Sequence, residues 1–464
     1  MGFRAIIEYG YPVIRPPECI VPRFDDIEHA GLTDVGIRRG HNQDAFSIQK
    51  APDQAYWETV GHVFIVADGM GGHAVGEKAS LKAVQEIPLT YAKIAQEGPG
   101  AALKRAFEET NSQIYAVGQS NPEFRGLGTT ASALVLKPEG AWIAHVGDSR
   151  ICRIRSGVFE QLTFDHSYAW EMARRLDVPP EDLANVKKNV IIRSLGPDNH
   201  VQVDIEGPHP VLPGDIFILC SDGLSNHVTP EEMGTIVSTL PPNEAAHFLV
   251  EMANLRGGPD NISVIVVRAG GQEASTIIAA IKPHTTFSLV LLKTIDYGRR
   301  LFPWPIAVLI LGFISAVGSV YCAISNYSGS TILAFLAAVS IIGGMLGLYL
   351  LSKKQRALEE RTQANPTRLN IYREYPCVID KALVEKLLKM GTHLKDQLEG
   401  RPFTIDWAAY RKHNEMATQY LKDNDLLASF REQCRALLGL MRTFNKNRPR
   451  EDGFRPKWET AAEA

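Results

Sequence analysis

The stretch HVFIVADGMGGH at residues 62–73 joins a short apolar run to an aspartate beside a glycine. The run His62–Ala67 is long enough for one buried strand. A strand holds the residue at its end rigidly, and a neighbouring glycine lets backbone or ligand approach closely. The stretch therefore predicts a strand that delivers the Asp68 carboxylate to the edge of a sheet.

The same arrangement recurs along the chain. AWIAHV at 141–146 leads to Gly147-Asp148, and DIFILCS at 215–221 leads to Asp222-Gly223, whereas Asp260 precedes its apolar run at 262–267. A single Asp-Gly pair is most often only a turn, so each motif alone allows that interpretation too. Four carboxylates at one rim would repel each other and need cations, and an all-oxygen ligand set suits Mg²⁺ or Mn²⁺.

A further polar segment, DVGIRRGHNQD at 34–44, places Arg38 and Arg39 just ahead of a polar cluster. The planar guanidinium of arginine binds phosphate oxygens as a fork, which makes the pair a candidate phosphate contact. A solvated surface pair is the alternative interpretation of two adjacent arginines.

Length and composition limit the class of protein. The chain has 464 residues, which predicts about three structural units. Its formal charge of −3 excludes a protein that coats nucleic acid through an overall basic field, so we expect no nucleic-acid partner. Its six cysteines form no CxxC pair, which argues against a disulfide framework or a thiolate zinc site.

One apolar segment stands apart. Residues 301–352 contain no Asp, Glu, Lys, Arg or His and are divided by the turn-forming cluster 326–330. This predicts a hairpin of two membrane-spanning helices, 303–325 and 331–351, with the lipid bilayer as a partner. The alternative is a very apolar helix pair buried in a soluble protein. Lysine and arginine on both flanks predict that both flanks face the cytosol.

The hairpin divides the chain into regions. Residues 1–25 form an N-terminal extension without a readable motif, 26–270 carry the Asp-Gly motifs, 271–300 form a juxtamembrane linker, and 353–464 are polar. Leucines at helical spacing in the last region predict about three amphipathic helices followed by a disordered tail. These helices are expected to form either a small packed bundle or a docking module that recruits a partner.

Taken together, the motifs resemble the metal-dependent protein phosphatases of type 2C in their bacterial form. The resemblance extends over about 240 residues, from Gly31 to Arg268, and rests on nine motifs in the family's order. The motifs are DVGxxR at 34–39, NQDA at 42–45, ADGMGGHxxGE at 67–77, GTT at 128–130, HVGDSR at 145–150, LTFDHS at 162–167, IIRSLG at 191–196, LPGDIFILCSDGL at 212–224 and GGPDNIS at 257–263. The resemblance implies an α+β fold, a four-layer α/β/β/α sandwich of two antiparallel sheets flanked by helices, with metal ions in a cleft at one edge.

The resemblance also implies a metal site. Asp68 would bridge two ions, Mn²⁺ or Mg²⁺, and the backbone carbonyl of Gly69 would bind one of them. Asp222 and Asp260 would complete the binuclear site, and Asp148 would help to hold a third, weaker ion. A metal-bound hydroxide would then attack phosphorus in line, without a covalent phosphoenzyme.

Two further roles follow from the family's motifs. Arg39 would clamp the substrate phosphate, and Asp44 would orient metal-bound waters. Met70 stands where animal members carry a histidine that is proposed as general acid, and a thioether cannot donate a proton. The general acid is therefore unassigned. The family also forms a substrate-contacting flap between LTFDHS and the later motifs, where Ser167–Leu176 is predicted to be helical before Pro179-Pro180.

The resulting hypothesis is a membrane-anchored serine/threonine protein phosphatase that acts on phosphorylated proteins. It would reside in the bacterial inner membrane, with its catalytic domain and C-terminus facing the cytoplasm, and a Ser/Thr protein kinase of the same cell would be its counterpart. The alternative is a catalytically silent, phosphatase-like scaffold or sensor at the membrane. Because all the expected acidic residues and Arg39 are present, the sequence favours the enzyme.

Overall fold

The computed structural model describes residues 24–71, 75–124, 126–183, 186, 190–270, 304–324, 331–332, 334–345 and 370–448. The predicted N-terminal extension, the juxtamembrane linker and the end of the predicted disordered tail lie outside these residues, apart from 24 and 25. His73, beside the first Asp-Gly motif, lies outside them as well.

Strands and helices alternate in groups along the chain. The strands are β1 Ile27–Asp34, β2 Asp44–Gln49, β3 His62–Met70, β4 Gly128–Thr129, β5 Ala131–Lys137, β6 Gly140–Val146, β7 Arg150–Arg155, β8 Val158–Gln161, β9 Asp204–His209, β10 Ile216–Cys220, β11 Ile262–Ala269 and β12 Arg373–Pro376. The helices are α1 Gln54–Thr59, α2 Val75–Ile94, α3 Pro99–Ser120, α4 Tyr168–Leu176, α5 Asp222–Ser225, α6 Pro230–Thr239, α7 Pro242–Leu255, α8 Trp304–Ile324, α9 Lys381–Leu398, α10 Trp407–Lys422 and α11 Leu426–Asn447. All four strands predicted from the Asp-Gly motifs are confirmed, as β3, β6, β10 and β11.

The strands form two antiparallel sheets. The first has the order β1-β11-β10-β7-β8-β12, and the second has the order β2-β3-β5-β6-β9, with β4 paired to β3. Side chains such as Phe64, Leu134, Phe217 and Ile265 are fully buried in one core cluster drawn from both sheets. Alternating residues of each strand fill this layer, as two packed sheets require.

Helices cover the outer faces of both sheets. α2 and α3 pack on the second sheet, where Tyr91 and Phe107 are fully buried, and α6 and α7 pack on the first sheet, where Phe248 and Leu249 are. The sandwich of two antiparallel sheets flanked by helices is therefore confirmed. The helix predicted over Ser167–Leu176 is confirmed as α4, and the side chain of Ser167, which precedes it, accepts a hydrogen bond from the Trp170 N–H.

The C-terminal segment forms three helices, as predicted, but its position was not predicted. α11 packs on α7 and α6, α9 and α10 pack on α11, and β12 extends the first sheet at its β8 edge. The core cluster of the first sheet includes Leu387, Phe430 and Leu437 from this segment. At Gly234 of α6, a Cβ atom would collide with the Cys377 sulfur, so the packing there is close.

The chain divides into two compact units, and the division differs from the predicted one. Residues 1–280 and 369–464 form one unit, and residues 281–368 form the other. Amphipathic periodicity shows that a helix buries one face, but it does not show against what. The sequence therefore could not predict that the C-terminal helices share a core with the motif-bearing segment.

The predicted membrane hairpin is not supported. α8 occupies the first predicted range, although its side chains are described only over 310–321, 323 and 324, and residues 331–332 and 334–345 of the second range are helical. A span needs about 20 consecutive apolar residues in one helix. Across the described residues, no helix is both long and apolar enough to cross a membrane. The localisation at the inner membrane depended on this hairpin and stays a prediction.

Glu232 on α6 connects three helices of this layer. Its carboxylate accepts hydrogen bonds of 2.7 and 2.8 Å from Arg256, at the end of α7, and one of 3.4 Å from Lys386 on α9. It also accepts from the Thr229 N–H in a capping box. Burial alone would raise the pKa of Glu232, but these donors and charges lower it to about 2.

We expect Glu232→Gln to lower the free energy of unfolding by about 2 kcal/mol at pH 7. The folded-state pKa lies below the unfolded value of about 4.3, so this stabilisation is complete above the unfolded pKa. It is lost as the pH falls through the folded value. Urea unfolding should show that the difference in unfolding free energy between wild type and Glu232→Gln is about a third smaller at pH 3.5 than at pH 7.

The exposed neighbour Glu231 provides the control, because Glu231→Gln should change the unfolding free energy by less than about 0.5 kcal/mol at either pH. If the effect of Glu232→Gln were equally large at both pH values, the ion pair would not be its source.

Candidate active site

Asp44 and Asp68 face each other on neighbouring strands. They form one register pair at the end of the β2–β3 ladder. The Asp68 backbone is fixed from the other side, because its N–H donates to Thr130 Oγ1 at 2.8 Å and its carbonyl accepts from the Thr130 N–H at 2.9 Å. Thr130 belongs to the GTT motif, so that motif anchors the strand end that carries Asp68.

Asp222 is the first residue of the short helix α5, which follows β10 after one residue. The residue before it, Ser221, donates from Oγ to Asp44 Oδ2 at 2.6 Å and accepts from the Ser263 N–H at 2.9 Å. A Cβ atom at Gly223 would collide with the carbonyl oxygen of Asn261. The glycine therefore allows the Asp222 loop to lie directly against the loop that carries Asp260.

Asn261 connects this second loop to the first. Its amide group donates to the carbonyl oxygens of Val35 and His41, each at 2.9 Å, and its Oδ1 accepts from the Gln43 N–H at 2.8 Å. The segments 34–44 and 257–263, far apart in sequence, are thus fixed as one polar edge.

Arg39 lies at this edge and binds Asp260. Its Nη2 is 2.8 Å from both carboxylate oxygens of Asp260, and its Nε donates to the Pro259 carbonyl at 3.4 Å. The side chain is 47% exposed. The predicted phosphate clamp is therefore beside the predicted metal ligands and accessible from solvent.

Asp148 follows β6 and is buried. Its Oδ1 atom has no hydrogen-bond partner. Two residues later, Arg150 binds Asp165 through three contacts of 2.6 to 3.1 Å. The motifs HVGDSR and LTFDHS are joined by this ion pair, which fixes the loop that carries Asp148.

The five aspartates influence one another electrostatically. Burial, and then the charges of Asp44, Asp222, Asp148 and Asp260, raise the pKa of Asp68 well above its ordinary value. Burial and the charge of Asp222 raise the pKa of Asp148 to about 8. Burial raises the pKa of Asp44 to about 7 against the hydrogen bond from Ser221, and burial and Asp260 raise that of Asp222. The raised pKa values of these four aspartates mark an edge with an excess of negative charge.

The donor chemistry of this edge suits hard divalent cations. It is all oxygen and carries excess negative charge, and two buried carboxylate oxygens, Asp44 Oδ1 and Asp148 Oδ1, lack a hydrogen-bond partner. As they stand, no three Asp, Glu, His or Cys side chains among the described residues form a metal-binding group. The aspartates therefore fit Mg²⁺ or Mn²⁺ by chemistry and charge, while the coordination of each remains a prediction.

The segment that carries these motifs is similar to known proteins. The family model described as protein phosphatase 2C matches residues 37–255. The serine/threonine phosphatase stp of Listeria innocua is 36% identical over 253 residues, a match that covers 52% of this chain and 98% of that protein. The chain belongs to the protein phosphatase 2C family.

Other members of the protein phosphatase 2C family match over a similar extent. Protein phosphatase PhpP of Streptococcus pneumoniae is 35% identical over 249 residues, covering 52% of this chain and 98% of that protein. Among solved structures, the S. agalactiae serine/threonine phosphatase is 33% identical, with a TM-score of 0.48 over 52% of this chain and 99% of that one. The predicted enzyme class, a protein-serine/threonine phosphatase, is confirmed by the family model and these relatives.

Some residues of this protein phosphatase 2C site were not predicted. Ser221 and Asn261 were missed, although each lies beside a predicted ligand, and that adjacency was the available signal. Arg373, which lines a cavity that Asp148 and Asp222 also line, was missed for a different reason. It lies beyond the end of the family model, and nothing in the local sequence indicates its partner.

Proposed function

We propose that this protein phosphatase 2C chain hydrolyses phosphoserine and phosphothreonine on proteins, with Mn²⁺ or Mg²⁺ as cofactor. The reaction takes place at the edge that carries Asp44, Asp68, Asp148, Asp222 and Asp260, which we call the aspartate edge. The proposal is carried by one observation. Burial and mutual carboxylate charge raise the pKa of Asp44, Asp68, Asp148 and Asp222 at a single edge, and Arg39 contacts the fifth aspartate of that edge, Asp260.

Asp68, the Gly69 carbonyl, Asp222 and Asp260 would hold two ions, and Asp148 would help to hold a third. Bound ions of this kind neutralise phosphoryl charge and lower the pKa of a bound water to about 7. A Cβ atom at Gly69 would collide with the Gly76 carbonyl, so glycine is required where its own carbonyl is to serve as a ligand.

Arg39 is suited to orient the substrate. It uses Nη2 for Asp260 and Nε for Pro259, and the guanidinium has further N–H groups that can bind phosphate oxygens. Its contact with Asp260 places it beside a proposed metal ligand, so a phosphate held by Arg39 would lie next to the ions.

Asp44 is buried beside the proposed metal ligands. The hydrogen bond from Ser221 holds one of its oxygens, and its other oxygen, Oδ1, is buried without a partner. A buried acceptor beside Asp68 and Asp222 can hold an ordered water in place. We assign Asp44 this positioning role.

The substrates are proteins phosphorylated on serine or threonine. A Ser/Thr protein kinase is the class of enzyme that must supply them. The catalytic reaction needs no bilayer, so the proposal does not depend on the predicted membrane hairpin.

Phosphate release from a phosphothreonine peptide by the full chain tests the proposal. With Mn²⁺ we expect turnover, and excess chelator should lower the rate at least about a hundredfold, because the charge at the aspartate edge is then unneutralised. Adding Mn²⁺ back beyond the chelator should restore the rate. Turnover that is indifferent to chelator, or no release by a folded protein with metal present, would contradict the proposal, and the second result would favour the silent scaffold.

A further inference from the structure

The C-terminal segment reaches the flap through a strand. We define the flap as residues 167–183, which contain α4 and the 3₁₀ turn Pro180–Asp182. β12 pairs antiparallel with β8, with Arg373 opposite Gln161 and Tyr375 opposite Phe159. Because β8 leads directly into LTFDHS and then the flap, β12 lies beside the segment from which the flap departs.

Arg373 holds the flap at two points. Its guanidinium makes a two-pronged ion pair with Glu181, with contacts of 2.5 and 2.8 Å. It also lies over the Trp170 ring, 4.4 Å from the ring centroid. The arginine side chain is only 14% exposed, whereas the Glu181 side chain is 56% exposed, so the arginine is held in the fold and its partner lies at the surface. A planar arginine that both stacks and binds a carboxylate fixes its partners more precisely than a lysine would.

Trp170 of the flap also contacts residues outside the flap, including residues near the predicted metal ligands. Trp170 packs edge-to-face on Phe164, with ring centroids 5.1 Å apart, and Phe164 contacts the ring of Tyr372 on the C-terminal segment at 5.6 Å. The Arg150 guanidinium also lies over the Trp170 ring, 5.8 Å from its centroid. Arg150 binds Asp165 and lies two residues from Asp148. One continuous set of contacts therefore links Arg373 to the loop of a predicted metal ligand.

Arg373 also lines the cleft. A cavity of about 270 Å³ extends from Asp148 and Asp222 to Trp170, Glu181 and Arg373. Residues of the flap and of β12 line this cavity together with the two aspartates, and we call them the wall; they are Trp170, Glu181, Arg373 and Tyr375. A peptide whose phosphoresidue lies at the aspartates would place its neighbouring residues against this wall.

We propose that Arg373 is a positioning residue that holds the flap against the cleft, so that the C-terminal segment takes part in recognising the peptide around the phosphoresidue. The inference rests on the proposed function for its effect on substrates. It extends that function to residues far beyond 255, where the family model ends.

The test compares two substrates of the full chain with Mn²⁺. Arg373→Ala should raise KM for a phosphothreonine peptide about tenfold, since both the two-pronged pair with Glu181 and the stacking on Trp170 are lost. The value of kcat/KM for p-nitrophenyl phosphate should change less than about twofold, because that substrate has no flanking residues to contact the wall. Loss of both activities in equal measure would overturn the positioning role.

A second readout does not depend on catalysis. The flap helix carries exposed Arg174 and Arg175, which are sites for trypsin. A released flap should be cut there at least about fivefold faster in Arg373→Ala, measured by mass spectrometry on the folded protein.

Arg435→Ala is the matched control. Arg435 also joins the C-terminal segment to the phosphatase core through a two-pronged pair, with Glu244, at 2.9 and 3.3 Å. It lies on α11 and does not line the cleft cavity. We expect the peptide KM and the trypsin rate at the flap to stay unchanged in this variant. Equal effects of Arg373→Ala and Arg435→Ala would refute the proposal.

Exchanging the charges completes the test. Each single change, Arg373→Glu or Glu181→Arg, should raise the peptide KM. The double variant that combines them should bring KM most of the way back to the wild-type value. No recovery in KM or in the trypsin rate would argue against the pair as the cause. If the wild-type protein releases phosphate from neither substrate, the proposed function fails, and the trypsin rates alone decide whether Arg373 holds the flap.

Discussion

The variant Asp68→Asn is expected to lower kcat for a phosphothreonine peptide by at least about a thousandfold, or about 4 kcal/mol of transition-state stabilisation. Asp68 is the residue whose pKa is influenced by all four other aspartates of the edge, so it lies at their electrostatic centre. An amide keeps the shape and one oxygen but not the charge. Isothermal titration with Mn²⁺ should show the loss directly, as a weaker or missing high-affinity site.

Stability should move in the opposite direction. The raised pKa of Asp68 means that its charged form is disfavoured where it lies, because of burial first and the other carboxylates next. In chelator at pH 7, Asp68→Asn should therefore unfold in urea at the same or a higher concentration than wild type. Asp396→Asn on the exposed side of α9 is the control, with activity and stability unchanged. A variant that lost activity only because it unfolded would contradict this account.

Truncation at residue 270 is expected to have the largest effect on stability. The core cluster of the first sheet includes nine fully or nearly fully buried side chains of the C-terminal helices, namely Val384, Leu387, Leu394, Leu398, Phe430, Cys434, Leu437, Leu440 and Met441. At about 1.5 to 3 kcal/mol for each large buried apolar side chain, the nine amount to roughly 14 to 27 kcal/mol. This is an upper bound because the unfolded chain also buries apolar surface, and a loss on the order of 10 kcal/mol is expected. That is comparable with the whole stability of a typical domain. The fragment 1–270 should aggregate, or unfold at a much lower urea concentration.

An internal deletion separates this effect from the loss of chain length. Replacing residues 281–368 by a flexible Gly/Ser linker of about 40 residues, with an r.m.s. span of about 35 Å, removes the other compact unit and keeps residues 369–464. This protein should unfold cooperatively, near the urea midpoint of the full chain. Equal midpoints for 1–270 and the full chain would show that the C-terminal helices contribute nothing to the stability of the phosphatase core.

The sequence predicted those features whose signals are local. Each apolar run that ends at an Asp-Gly pair became a strand, because a buried strand and its turn need only neighbouring residues. The ordered motifs predicted the family and thereby the sandwich. The contacts made by Ser221 and Asn261 depend on loops that meet only after folding, so only their proximity to predicted ligands could have indicated them.

The packing partners of the C-terminal segment could not be predicted from its sequence. Its leucines predicted helices correctly, but an apolar face can pack on any complementary surface. β12 is only four residues long, and its pairing with β8 depends on a distant part of the chain. The ion pair of Arg373 with Glu181 has no sequence pattern at all. For the apolar segment 301–352, composition predicted membrane spans that the described residues do not support.

The pairing of β8 with β12 also has a consequence for synthesis of the protein on the ribosome. Gln161 is made long before its partner Arg373, and the helices that cover α6 and α7 end at Asn447. At about 5 to 20 residues per second, roughly 15 to 60 seconds separate the emergence of β8 from that of the last helix. During that interval the nascent chain carries an unpaired sheet edge and an uncovered apolar helix face. Both features attract chaperones and promote misassociation. The sheet edge is paired and the helix face is covered only after the C-terminal helices have been translated.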